Sequence, residues 1–294
     1  MVPGRDDVSA AVSRRPGRSR RRTNPVAATL RGALLVLAIT VSLVPIVWII
    51  LTSFKPEDQW VSDPPAWIPS EWSFDSYRQM WDDGGGRSLL NSVVVVGLST
   101  VAAMVIGALA AYSFSRFRTG GRHLVAWILS IKFLPPVVFA VPLLIMFTEN
   151  GLYDRRLGLI LLYTTFQLPF VIWMLKGFFD EVPDEIEDSA RVDGCSWLGV
   201  FVRFTLPMSA PGLVATALLT FVFGWSEFFL PLVFASQDNY PLTVQLSSYF
   251  SEAVGLEWGP QAALSVVGML PMLLAAVSIQ RYLIRGMTFG AVKG

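Results

Sequence analysis

Six stretches of this chain stay apolar for about the 20 residues that a helix needs to cross the hydrocarbon core of a bilayer. They run roughly over Gly32–Phe54, Ser88–Ser115, Leu124–Thr148, Leu157–Leu175, Pro207–Ala235 and Gly259–Gln280. No other feature constrains the fold as strongly. Lipid offers no water to backbone N–H and C=O groups, so such stretches are expected to be helices. The pattern predicts an all-α fold, a polytopic membrane protein with six transmembrane helices. Composition agrees: of 294 residues, 53% are hydrophobic and only 15% charged, too few charges to cover a soluble domain of this size.

Residues 1–30 differ from the rest. They are rich in Arg, Ser, Ala and Pro without apolar periodicity, and read as a disordered basic cytoplasmic tail. A membrane domain is expected over 31–294. The first apolar run is too long for the core of a signal peptide, and no small-x-small site follows it, so an uncleaved anchor is expected. Lys and Arg set the orientation. With the N-terminus in the cytoplasm, only Lys55, Arg78, Arg87, Arg155 and Arg156 fall in outer connections, and Lys132 lies within a segment. All the other basic residues are then cytoplasmic, as are both termini. The outer loop 55–87 carries Trp60, Trp67, Trp72 and Trp81, residues that favour the membrane–water interface.

Several function classes drop out. A net charge of +1 gives no reason to expect nucleic acid as a partner. Cys195 is the single cysteine and His123 the single histidine, so no metal site, disulfide framework or Ser-His-Asp triad is expected. No cofactor is implied. None of Lys55, Lys132, Lys176 and Lys293 follows a glycine, so there is no P-loop, and any use of ATP must be borrowed from a partner.

The connection from Pro183 to Pro207 is unlike the others. Pro183 suits a first helical turn, and Asp184 and Glu185 complement the helix dipole there. Ile186 and Ala190 share a face. Gly194 is a helix stop, and Ser196 a cap for a second helix running from Trp197 to about Thr205. Trp197, Val200, Phe201 and Phe204 lie along one side of that helix. The result is a compact knob, either a docking element or an ordinary interfacial helix.

Asp188-Ser189-Ala190, Asp193-Gly194 and Leu206-Pro207 resemble the "EAA" loop of bacterial ABC importer permeases, whose pattern is E-A-A-x-x-D-G followed about a dozen residues later by L-P. Asp188 stands where that family usually has Glu, and Ser189 where it has the first Ala. Glu187 stands just before them and can share the acidic role. Further blocks resemble the maltose-type sugar and polyol permeases: Ser53-Phe54-Lys55-Pro56, Asn91-Ser92, Ala111 to Phe117, Pro169-Phe170, Trp225-Ser226-Glu227-Phe228 and Gly290 to Gly294. The nearer likeness is to the second, six-helix permease of such systems.

The resemblance implies the transmembrane domain of a type I ABC importer in a bacterial plasma (inner) membrane. It implies four kinds of neighbour: a homologous second permease, two copies of a cytoplasmic ATP-binding subunit, an extracytoplasmic solute-binding protein and the bilayer itself. ATP hydrolysis would lie on the partner chain, and the solute would be a di- or oligosaccharide or a polyol. Glu187, Asp188, Ser189, Ala190, Asp193 and Gly194 would form the contact with the ATPase, and Leu206 and Pro207 would lead from it into the fifth helix. The Gly290–Gly294 tail would touch the ATPase too.

Charges at membrane depth usually face a bundle interior or a water path. Lys132 and Glu227 line a route, pair with each other, or are simply structural. Tyr163, Phe166, Gln167, Trp173 and Trp225 offer the aromatic faces and hydrogen-bonding groups that sugars use, and equally serve as packing. An ion-coupled secondary transporter is the rival reading. It accommodates the two charges but gives the EAA-like loop no purpose.

Overall fold

The computed structural model describes residues 25–117, 119–251 and 255–290. Most of the Arg-rich tail, the acidic Glu252 and Ala291–Gly294 lie outside the described residues, as do the side chains of Arg122, Arg281 and Arg285. The chain divides into two compact units, Met1–Val47 and Trp48–Gly294. The described part of the first unit is helical. It is most of α1, which runs Pro25–Thr52 and so begins six residues inside the stretch read as tail. Its side chains from Leu30 to Val47 are exposed, nearly all of them apolar.

In the second unit the described secondary structure is helical apart from one ribbon, β1 (Phe250–Ser251) paired antiparallel with β2 (Gly255–Leu256). The helices are α2 (Asp75–Asp82), α3 (Gly85–Arg116), α4 (Gly121–Ile131), α5 (Val137–Glu149), α6 (Arg156–Asp180), α7 (Asp184–Val192) and α8 (Trp197–Val200). After a π-helical turn over Phe201–Thr205 come α9 (Leu206–Met208), α10 (Ala210–Trp225), α11 (Phe229–Phe234), α12 (Leu242–Ser248) and α13 (Trp258–Gly290).

The centre of the unit is α3 against α6. The buried side of α3 carries Ser88, Ser92, Ser99, Ala103, Gly107 and Ala111. Its exposed side carries Leu90, Val93, Leu98, Val101, Val105 and Ile106. This is the reverse of a soluble helix. Where lipid is the solvent, large apolar groups gain nothing by burial, and small residues let backbones approach. At Gly107 a Cβ would lie 2.6 Å from Val171 Cγ1, so only glycine fits the crossing.

Four described helices are long and apolar enough to cross a membrane, or five if one bent pair counts as a single span. Two of the predicted segments are broken. The third stops at Ile131 and restarts at Val137. Pro135 and Pro136 cause this, since neither offers an N–H to the preceding turn. The fifth ends at Trp225 and resumes at Phe229. Pro231, four residues after Glu227, has no N–H to offer the Glu227 carbonyl, which accepts from Thr243 Oγ1 at 2.7 Å instead, while the Glu227 carboxylate accepts from the Leu230 N–H at 3.1 Å and caps α11.

At the opposite end of α3 from Arg116, Asn91 and Ser92 pin the segment leading into α12. Asn91 Nδ2 donates to the carbonyls of Asp238 and Tyr240, at 3.2 and 3.1 Å. Arg156 Nε donates to Asn91 Oδ1 at 2.8 Å. Ser92 Oγ accepts from the Leu242 N–H at 2.7 Å.

Candidate functional site

The connection between α6 and α10 forms the predicted knob, with its signals where the residue types place them. Pro183 sits in extended backbone just before α7, and Asp184, Glu185 and Glu187 occupy the first turn. Gly194 ends the helix at φ +89°. The next N–H, of Cys195, reaches back to the Ala190 carbonyl at 3.0 Å, closing the turn as left-handed helix ends do. Ser196 Oγ accepts from the Gly199 N–H at 3.1 Å and starts α8. Arg191 packs over the Trp197 ring at 4.6 Å, and Trp197 meets Phe117 edge-on at 4.9 Å. Val200 and Phe201 turn inward, while Trp197 stays partly exposed.

Leu206 and Pro207 belong to α9, and the backbone then bends by 79° between Trp197–Met208 and Ala210–Trp225. Pro207 cannot donate to the Arg203 carbonyl, one reason the preceding turn loosens to π spacing.

The two faces of α7 are chemically distinct. Asp188, Ser189, Asp193 and Gly194 are exposed, and so is Val192, at 88%. Glu187 and Ala190 are buried. Glu187, grouped by sequence with the outward residues, has its carboxylate turned into its own chain and is only 2% exposed. Its Oε1 accepts from Arg116 Nη2 at 2.9 Å and Thr205 Oγ1 at 2.7 Å. Its Oε2 accepts from the Tyr112 hydroxyl at 3.0 Å. Arg116 also donates to the carbonyls of Phe179 and Val182 at the end of α6, both at 2.9 Å, and meets Asp184 at 3.2 Å. Burial pushes the Glu187 carboxyl up. The bonds from Arg116, Thr205 and Tyr112, with the Arg116 charge, outweigh that and leave it below its ordinary value. A cavity of about 1270 Å3 opens beside this network, lined in part by Trp173, Lys176, Asp180 and Asp184.

Arg116, Tyr112 and Thr205 are the partners that residue patterns do not reveal, because they lie 18 to 75 positions from Glu187 in sequence. The one available signal is that Tyr112 and Arg116 fall inside the Ala111–Phe117 block.

The other predicted residues gather around the middle of α6, near Pro169, and the α10–α11 break. Tyr163 and Gln167 are buried one turn apart on α6. The Tyr163 hydroxyl and Gln167 Oε1 have no hydrogen-bond partner among the described residues. Gly224 makes room for Gln167, since a Cβ there would lie 2.7 Å from Nε2. Trp225 is buried and stacked on Phe221 at 5.4 Å. Lys132 Nζ donates to the Phe166 carbonyl at 3.2 Å, in the turn loosened by Pro169. Among the described residues Lys132 and Glu227 form no direct ion pair.

This arrangement of helices recurs in solved ABC transporters. A bacterial ABC transporter involved in import of the acidic polysaccharide alginate superposes with a TM-score of 0.72 at 20% identity, over 89% of this chain and 98% of that one. The MetNI methionine ABC transporter, in inward-facing conformations, gives 0.58 at 18% identity over 71% and 97%. The fold is therefore of the ABC transporter membrane class. Residues 103–289 match the family described as binding-protein-dependent transport system inner membrane component, and this chain belongs to that family. Among its relatives, the diacetylchitobiose uptake system permease protein NgcG of Streptomyces coelicolor is 35% identical over 86% of this chain and 85% of its own. The trehalose transport system permease protein SugB of Mycobacterium tuberculosis is 35% identical over 91% and 98%. The sulfoquinovosyl glycerol transport system permease protein SmoH of Agrobacterium fabrum is 33% identical over 86% and 89%. The chain is a multi-pass membrane permease.

Proposed function

We infer that this chain is the channel-forming subunit of an ATP-driven importer for a sugar or sugar-like solute, a di- or oligosaccharide or a polyol, in a bacterial inner membrane. Family membership carries the reading, and the relatives above are named for sugars or sugar conjugates. The chain crosses the membrane six times with both termini in the cytoplasm, α4 and α5 completing the third crossing in tandem. A homologous permease pairs with it, two copies of an ATPase dock beneath, and an extracytoplasmic binding protein delivers the solute.

The 183–207 loop faces the ATPase. Asp188, Ser189, Val192 and Asp193 present the outward surface of α7, a rigid helix end that a cleft can grip, while Ala190 and Gly194 fix its shape and Leu206 and Pro207 carry it into α10. Lys132, Tyr163, Gln167, Trp225 and Glu227 border the solute route. An alternating-access gate needs polar groups that can exchange protein partners for solute or water, and the unmatched Tyr163 hydroxyl and Gln167 carbonyl are such groups.

Transport in proteoliposomes tests this. Uptake should require ATP and the added ATPase and binding protein. Uptake driven by a proton or sodium gradient alone would overturn it. Deleting 183–194 should abolish co-purification with the ATPase while the chain still inserts.

A further inference from the structure

Glu187 is buried within its own chain and is the acidic residue of α7 most thoroughly held. The Arg116 guanidinium ties together four backbones: its own at the end of α3, the last carbonyls of α6, α7 through Glu187 and Asp184, and, through the shared Glu187 carboxylate, the turn before α10 at Thr205. The Tyr112 ring lies 4.7 Å from Phe201, so apolar packing closes the far side. A displacement of α7 therefore cannot be absorbed locally without separating a buried ion pair from its bonds. Opposite charges held at 2.9 Å away from water resist that strongly.

We propose that Arg116 and Glu187 are positioning residues that lock α7 to α3 and to the α9–α10 entry, so that movement imposed on the outward face of α7 arrives as movement of the membrane helices. Tyr112 and Thr205 hold the Glu187 carboxylate in the geometry Arg116 needs. This rests on the transporter reading above and adds to it the element that carries force inside the chain.

The test uses the complete transporter with its ATPase, partner permease and binding protein. Spin labels at the exposed Leu109 on α3 and the exposed Glu185 on α7 report whether the two helices move as one. Their distance distribution should be the same with and without ATP in the wild type, and should broaden in Glu187→Gln. Solute moved per ATP hydrolysed should fall about tenfold in Glu187→Gln, with Glu187→Asp falling between that variant and the wild type. Thr205→Val, which removes one bond and no charge, should show a smaller fall in the same direction. An assembled, ATP-hydrolysing wild-type complex whose Leu109–Glu185 distance shifts on ATP binding overturns the proposal, as does a Glu187→Gln complex with an unchanged transport ratio. Failure of the wild-type chain to bind the ATPase at all would instead count against the transporter reading.

Discussion

At the α6–α10 connection Glu187 is buried with both carboxylate oxygens bonded, to Arg116, Thr205 and Tyr112. In the middle of α6, Tyr163 and Gln167 are also buried, with a hydroxyl and an amide oxygen that meet no partner among the described residues. Leaving a buried polar group unmatched costs about 1–3 kcal/mol. The first region is satisfied and therefore stiff. The second keeps unspent hydrogen-bonding capacity close to where the helices are broken, at Pro135–Pro136 and Glu227. In a transporter these are complementary requirements: one region must pass on a displacement, the other must change its partners.

Substitutions can break or sharpen this contrast. The largest effect is expected from Arg116→Ala, which strands Glu187 as a buried charge and should cost about 3–5 kcal/mol of stability, read from denaturant unfolding in detergent. Two tyrosines give the sharpest comparison. Tyr112→Phe removes a hydrogen bond to a carboxylate and should cost about 1.5–3 kcal/mol. Tyr163→Phe removes a buried hydroxyl that meets no partner among the described residues and should raise stability by about 1–3 kcal/mol, while lowering the uptake rate. Equal stability losses for the two would erase the distinction between the regions. Gly194→Ala places a side chain at φ +89° and should cost about 1–2 kcal/mol, with the knob's contacts otherwise intact.

The smallest effect concerns acid. The folded carboxyl of Glu187 lies below its ordinary value of 4.5. Its contribution is thus fully present above about pH 4.5 and fades as pH falls through the depressed value. Wild type should lose melting temperature in that acid range faster than Glu187→Gln, which has no proton to take up. Parallel melting curves for the two would show that the carboxylate contributes little.

Much of the knob is legible in order along the chain, because its signals are local. Proline before α7, acidic residues in its first turn, a positive-φ glycine after it and a capping serine each act within a few positions of themselves. The ion pair that holds the knob is not legible that way, since Arg116 and Glu187 meet only once α3 and α6 have packed. Apolar runs located the helices, but hydrophobicity is blind to a broken axis. Leu124–Thr148 reads as one segment although Pro135 and Pro136 divide it. Pro207–Ala235 hides its break still better, for there the Glu227 carboxylate caps a new helix just ahead of Pro231. The short β1–β2 ribbon escaped the all-α expectation because two residues per strand leave no periodicity to detect.

The surface of α3 carries one more consequence. With small residues facing inward and large ones outward, its tolerance to mutation should be inverted relative to a water-soluble helix. Exchanges among Leu, Ile, Val and Phe at Leu98 or Val105 should pass almost unnoticed, while adding a single methyl group at Gly107 should not. For anyone reshaping this protein, bulk is free on the outside and forbidden within.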